Sequence, residues 1–353
     1  MKIIFMTIAV FIMISCMGFS FVSLKAGDSD SKTKKTKKSR RLNRTEAYDN
    51  IDNSMKFNLN NECLKKVNWY LKNGVLSSTD YHNIVAHIYL NDGDMDLAYR
   101  EIREAISDTP FSSDAYGMLG IYFASIGNFE QAFLANDKSI ALSNGSGIPY
   151  QNRSVIYCFI EDKAHFIESY MTYVNNQKQL GRFVSRAPIA MVLLIDDPAS
   201  SYKQSMLEIK NIGIKDPSTQ FALIPAIFSL RYLKRDKEAD RLLKDVKNLK
   251  DPNHYAFMNI FKYIDGAITA QKLIEESQKK DIYKEKFYEL VARTWIGVDL
   301  DQKGDIEESQ KHLKWVIMNR KSVTITCYVE GIAKPLIRKQ NLKLMNQQKQ
   351  PKL

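Results

Sequence analysis

Val85-Ala86-His87-Ile88-Tyr89-Leu90-Asn91-Asp92-Gly93-Asp94 is answered, at a 34-residue offset, by Leu119-Gly120-Ile121-Tyr122-Phe123-Ala124-Ser125-Ile126-Gly127-Asn128. Small residues coincide (Ala86 with Gly120), as do aromatics (Tyr89 with Phe123), glycines (Gly93 with Gly127) and, beyond them, Ala98 with Ala132 and Ala105 with Ser139. A fixed period of this size marks stacked helical hairpins, none of which can bury its apolar face without a neighbour. Ala86 or Gly120 lets a second helix come close, Tyr89 or Phe123 fills the space beside it, and the glycine supplies left-handed backbone at the turn. Ala98 and Ala132 are the small residues of the returning helix. Asp108-Thr109-Pro110 ends the first unit, because proline lacks an amide donor and collides with the preceding turn.

Residues 79–146 resemble two tetratricopeptide repeats. Tyr116-x-x-Leu119-Gly120-x-x-Phe123-x-x-x-Gly127, followed by Ala132 and Asp137-Lys138-Ser139-Ile140, follows the family pattern closely. The first copy keeps Tyr89, Gly93, Ala98, Ala105 and Pro110, with His82 where the family has an aromatic. The resemblance implies an all-α fold, a right-handed α-solenoid of helix-turn-helix repeats, and a function in holding partners. In that family the first helix of each pair lines a concave groove. Carried over by register, the groove residues here are Asp80, Asn83, His87 and Leu90, then Asp114, Gly117, Ile121 and Ala124. Members that clamp a carboxylate use lysine, arginine and asparagine there; this chain has only Asn83. A mixed apolar and acidic groove suits a helix or extended peptide that carries positive charge.

Outward from the two copies, further pairs keep helical spacing with fewer diagnostic residues. Phe221 to Tyr232 and Lys237 to Leu249 read as a hairpin, with Ala239, Leu242, Leu243 and Val246 as its apolar stripe. Trp295-Ile296-Gly297-x-x-Leu300-x-x-x-Gly304-Asp305 restores the small residue and the turn glycine, and Ser309, Leu313 and Val316 continue the returning helix. Leu64, Val67, Trp69, Tyr70 and Leu71 predict a helix covering the open end of the first repeat. Residues 150–191 are harder to read. A third pair fits by register, but Glu161 stands at the turn-glycine position and Phe166 at the small one, and Ile189 to Ile195 suits a short helix or a strand equally.

The chain is expected to divide into a front segment (1–26), a basic linker (27–56), clear repeats (57–180), degenerate helical repeats (181–340) and a polar tail (341–353). Residues 3–24 carry no charge and are long enough to span a bilayer. Three outcomes stay open: a retained anchor, a signal cleaved after Leu24-Lys25-Ala26, or a bacterial lipoprotein with lipid on Cys16 of Met13-Ile14-Ser15-Cys16. Between Lys32 and Arg44 there are eight cations and Leu42 as the one apolar side chain, a composition that cannot bury a core. Such a run is attracted to anionic lipid headgroups. Nucleic acid is disfavoured as a partner, because no aromatics interleave with the cations. Of the net charge of +11, most lies at the front; past residue 45 there are 41 basic and 38 acidic side chains.

Residues that carry chemistry are sparse. Cys16, Cys63, Cys158 and Cys327 form no Cys-x-x-Cys, and His82 and His87 are five apart, off the four-residue spacing that would put two metal ligands on one helix face. No phosphate loop, nucleophile elbow or dinucleotide fingerprint occurs. Neither a catalytic residue, a metal nor a cofactor is therefore expected. The leading expectation is a non-enzymatic scaffold held at a membrane on the cell-envelope (periplasmic) side, with the cytoplasmic side as the alternative that the positive-inside rule favours. The competing expectation is an enzyme, or a subunit of an enzyme complex, with its chemistry hidden in residues 181–340.

Overall fold

The computed structural model describes residues 47, 50–51, 60–249, 257–280, 287–319 and 326–349. The front segment with Cys16 and most of the basic linker lie outside these residues. Of the described residues, 81% are helical and none is in a strand. Sixteen α-helices follow one another among them: α1 (Asn60–Lys72), α2 (Ser78–Asp92), α3 (Met95–Asp108), α4 (Ser113–Ser125), α5 (Phe129–Leu142), α6 (Ile148–Phe159), α7 (Lys163–Gln179), α8 (Ala187–Leu193), α9 (Pro198–Ile212), α10 (Gln220–Tyr232), α11 (Asp236–Lys247), α12 (Met258–Ile264), α13 (Ala270–Lys280), α14 (Phe287–Lys303), α15 (Ile306–Met318) and α16 (Thr326–Lys349).

Each helix packs chiefly on its neighbours in sequence, and α2–α3, α4–α5, α6–α7, α9–α10 and α14–α15 are the most extensive pairs. First helices also touch each other directly, α2 on α4 and α4 on α6. Side-chain caps start several of these helices: Ser77 and Asp80 form a capping box on α2, Ser112 caps α4, Asn128 caps α5, Asp162 caps α7 and Asp305 caps α15.

One turn recurs through the array. Gly93 (φ 78°), Gly127 (φ 80°) and Gly304 (φ 85°) are left-handed, and so are Glu161 (φ 61°) and Lys234 (φ 59°), which are not glycines. At all five the next residue's amide donates to a carbonyl in the last turn of the preceding helix: Asp94 to Tyr89, Asn128 to Phe123, Asp162 to Tyr157, Arg235 to Leu230 and Asp305 to Leu300, each at 2.9 or 3.0 Å. This closure satisfies orphan carbonyls at the helix end and fixes the angle at which the next helix leaves. Glu161 stands one repeat period beyond Gly127 and is left-handed like it, so the third pair exists without a turn glycine.

The close approach of paired helices rests on small residues. Ala86, Ala98 and Ala132 are fully buried. A Cβ on Gly120 would come within 3.1 Å of the Ala132 carbonyl, and one on Gly297 within 2.6 Å of Leu313 and 3.3 Å of the Ser309 carbonyl. Tyr89 and Phe123 are half-buried beside these contacts. In the third pair the returning-helix position holds the fully buried Phe166, which stacks on Tyr170 and meets Tyr328 of α16 edge-on at 6.0 Å.

At the amino-terminal end, Cys63, Val67 and Tyr70 of α1 pack with Ile84, Val85 and Ile88 of α2, together with Ala47 and Ile51; Trp69 faces solvent. Residues 187–193 form helix α8, settling the ambiguity left by their length. At the other end, α16 runs unbroken through residues 341–349, where the composition predicts a polar tail, and carries Pro335 inside it. No glycine or proline lies between Leu336 and Lys349 to stop it. α16 also turns back over the array, packing on α6, α8, α14 and α15.

Candidate functional site

The inner positions assigned from the repeat register lie where consecutive first helices meet. Leu90, Ile121 and Val155 are buried in one core. Ala124 is buried, and Gly117 is closed off because a Cβ there would stand 2.5 Å from the Asn152 amide nitrogen. The Asp80 carboxylate is turned to the start of its own helix, accepting from the Ser77 amide at 3.1 Å. His87 is buried with Nδ1 3.4 Å from the Asn91 amide nitrogen, and burial lowers its pKa from 6.5 to about 4, leaving it neutral. Asn83 is half-buried, its Oδ1 enclosed without a hydrogen bond among the described residues. Asp114 is exposed. Six of the eight groove residues are therefore covered by the chain itself.

Among the exposed parts of these hairpins is the edge that carries the turns. Tyr99 of α3 stacks on Tyr122 of α4 (centroids 4.9 Å apart, planes 22° apart), and Phe133 of α5 meets Tyr157 of α6 at 5.1 Å, with His165 stacked beyond it at 5.0 Å. Tyr99 and Phe133 are separated by one repeat period, so each returning helix hands an aromatic to the next first helix. Asp96 and Glu130 are separated by the same period, are exposed in the first turns of α3 and α5, and make no ion pair among the described residues. Burial raises the Tyr122 hydroxyl pKa, and the Tyr99 and Asp96 charges raise it further. Residues 78–142 hold ten acidic and three basic side chains, a net of −7, whereas residues 143–353 hold 24 acidic and 34 basic, a net of +10. The periodic recurrence of Tyr99 with Phe133 and of Asp96 with Glu130 is legible in the sequence, but the family register draws attention to the inner face instead.

The carboxy-terminal half is joined by buried polar groups. Asp299 is 1% exposed and accepts from the Tyr263 hydroxyl (2.7 Å), Lys303 (2.6 Å) and Arg231 (3.3 Å). Next to it Asp301 accepts from Tyr232 (3.1 Å) and from Gln340 of α16 (2.9 Å), and Gln340 also reaches Ser309 at 2.8 Å. A cleft of about 760 Å³ opens beside this seam, lined by Asp196, Asp301 and the outer part of α16. Its carboxylates are engaged: Asp196 pairs with Lys163, and Asp301 is held as described.

A second buried carboxylate, Glu208 of α9, holds the connection from α7 to α8. It accepts from the Ser185 hydroxyl (2.8 Å) and from the Arg186 (2.6 Å) and Ala187 (2.9 Å) amides at the start of α8. Burial pushes its pKa from 4.5 up to about 7, against the opposing pull of these donors. Glu208 does not line the cleft beside α16.

Among the described residues there is no group of three or more His, Cys, Asp or Glu side chains placed to hold a metal ion, and no helix long and apolar enough to cross a membrane. Neither Cys63 nor Cys158 is in a disulfide. No protein-family profile matches the chain, and no curated protein matches it.

Proposed function

We propose that this chain is a non-enzymatic interaction scaffold, a right-handed solenoid of the tetratricopeptide type whose first three hairpins hold a protein or peptide partner carrying positive charge. The observation that carries the reading is the turn at Gly93, Gly127 and Glu161. Three hairpins at a strict 34-residue spacing share one closure and stack first helix on first helix. The first two of these hairpins present the same chemistry one period apart, Asp96 with Tyr99 and Glu130 with Phe133, which suits an elongated ligand. The partner is placed on the turn edge and on exposed Asp114 rather than on the covered inner positions. Partly exposed aromatics beside Asp96 and Glu130 favour lysine or arginine through ion pairing and cation–π contact. The uncharged residues 3–24 hold the body at a membrane, on the cell-envelope side, and the basic linker adds attraction to anionic headgroups.

Affinity isolation of the full chain from its native cells tests this reading. Complexes should be recovered with the natural chain, lost with Asp96→Lys/Glu130→Lys, and kept with Lys237→Glu on α11. A chain that emerges alone, or complexes indifferent to the reversal at Asp96 and Glu130, would overturn it.

A further inference from the structure

From Gly331 to Leu353 the chain carries six cations and no acidic side chain. The first part of this stretch is engaged: Ile332, Ala333 and Leu336 are buried, and Gln340 is 2% exposed. Directly after Gln340, α16 leaves the body, and residues 341–346 are all exposed while still helical. Leu342 (61% exposed) and Met345 (52%) lie within one helical turn and share the face that points away from Leu336 and Gln340. Arg338 stands one turn before Leu342 on that face, paired with Glu161 yet still more than half exposed. Leu342 and Arg338 border the cleft together with Lys343 and with Lys339, whose ammonium donates to the Ile195 carbonyl at 3.4 Å. The cleft's carboxylates have partners within the chain, so they do not neutralise Lys343.

We propose that this projecting end of α16 is a docking site for an anionic lipid surface, with Leu342 and Met345 entering the boundary between headgroups and acyl chains and Lys343, flanked by Lys339 and Arg338, meeting the phosphates. An apolar pair ringed by long cationic side chains is the arrangement of helices that lie at a membrane interface, where the stems of lysine and arginine cover apolar surface and their charges stay among the headgroups. The charge division of the body agrees in sign. The +10 of residues 143–353 turns this end towards an anionic surface and the −7 of residues 78–142 turns the first two hairpins away from it. Nucleic acid fits less well, because residues 334–353 contain no aromatic side chain on which a base could stack. The inference rests on the membrane-held part of the reading above.

The test is trypsin cleavage after Lys343, followed by mass spectrometry, on the full chain with vesicles of phosphatidylcholine alone or with phosphatidylglycerol added. Cleavage should be at least about fivefold slower on the anionic vesicles, the effect of one or more cations held near the headgroups. Protection should vanish near 1 M salt, where the screening length is about 3 Å. It should also vanish in Leu342→Ser/Met345→Ser, a change confined to side chains already in water. Equal cleavage on the two vesicles would overturn the proposal, as would protection that survives both serines, or protection in detergent without lipid, which would mean that a second copy covers the face. Flotation separates the two readings. A chain that does not float with neutral vesicles contradicts anchoring by residues 3–24, and the Lys343 comparison on anionic vesicles still decides for or against the docking site.

Discussion

The α2–α7 hairpins and the α8–α16 half share a turn but are held together by different chemistry. In the first region helices approach through Ala86, Ala98, Gly120 and Ala132, and the buried polar side chains that join them, Asn136 to the Pro149 carbonyl and Ser139 to Ser113, are uncharged. In the second, two buried carboxylates join the helices: Asp299 ties together helices distant in sequence, and Glu208 of α9 holds the start of the neighbouring α8. Backbone closure therefore survives where packing residues drift. Glu161 and Lys234 adopt left-handed backbone because a hydrogen bond and a packed helix on either side over-determine it, at the strain cost a glycine would avoid.

The contrast breaks most visibly at Asp299. Asp299→Ala leaves Arg231 and the Tyr263 hydroxyl without their buried acceptor, and should cost about 3–5 kcal/mol in urea unfolding. Asp114→Asn, on the exposed side of the first region, should stay within about 0.5 kcal/mol. Comparable losses would mean that the two regions are held alike.

Acid should affect the two regions with opposite sign. The Glu208 carboxyl has a raised folded pKa of about 7 against 4.5, so the folded state binds the extra proton. Its contribution is greatest below about 4.5 and is lost as pH rises to about 7, a change on the order of 3 kcal/mol. His87 is depressed to about 4 from 6.5, so its contribution is present above 6.5 and is lost as pH falls towards 4. Denaturant titrations between about pH 4 and 8 should show Glu208→Gln removing the decline with rising pH and leaving the His87 slope of opposite sign. An unchanged profile in Glu208→Gln would remove the carboxylate as its source.

Two smaller effects sharpen the comparison. Gly120→Leu forces a side chain against the Ala132 carbonyl and should cost about 1–3 kcal/mol, far more than Asp114→Asn; equal melting temperatures would mean the register is misassigned. Lys234→Gly relieves left-handed strain and loses part of the gain to chain entropy, for a net stabilisation of roughly 0.5 kcal/mol. The same residue type is already native at Gly127, where Gly127→Ala should instead destabilise by about 1 kcal/mol. Parallel thermal melts would check all three.

How much the sequence discloses follows the same division. The first two hairpins are readable because their turns demand glycine and their contacts demand small residues, both written at one fixed period. The pairs α10–α11 and α14–α15 are readable from apolar stripes at helical spacing. The third pair is obscured by Glu161, since a left-handed turn without glycine leaves no signature, and by Phe166, whose partner Tyr328 comes from α16 at the far end of the chain. Nothing in the local pattern points to α12, α13 and α16. Two of them are short or mostly polar, and α16 owes its course to α6, α8 and α14, which no local pattern encodes. The inner-face assignment follows the family register, and the burial of six of those eight positions depends on packing partners that the register does not specify.

Site-specific photo-cross-linking of the full chain in its native cells bears most directly on the claim that the hairpins, and not the carboxy-terminal half, hold the partner. A photoreactive residue in place of Asp114 should give a discrete protein adduct that disappears with Asp96→Lys/Glu130→Lys, while one in place of Lys237 gives none. Adducts from Lys237 that match or exceed those from Asp114, or an Asp114 adduct untouched by the charge reversal, would contradict it.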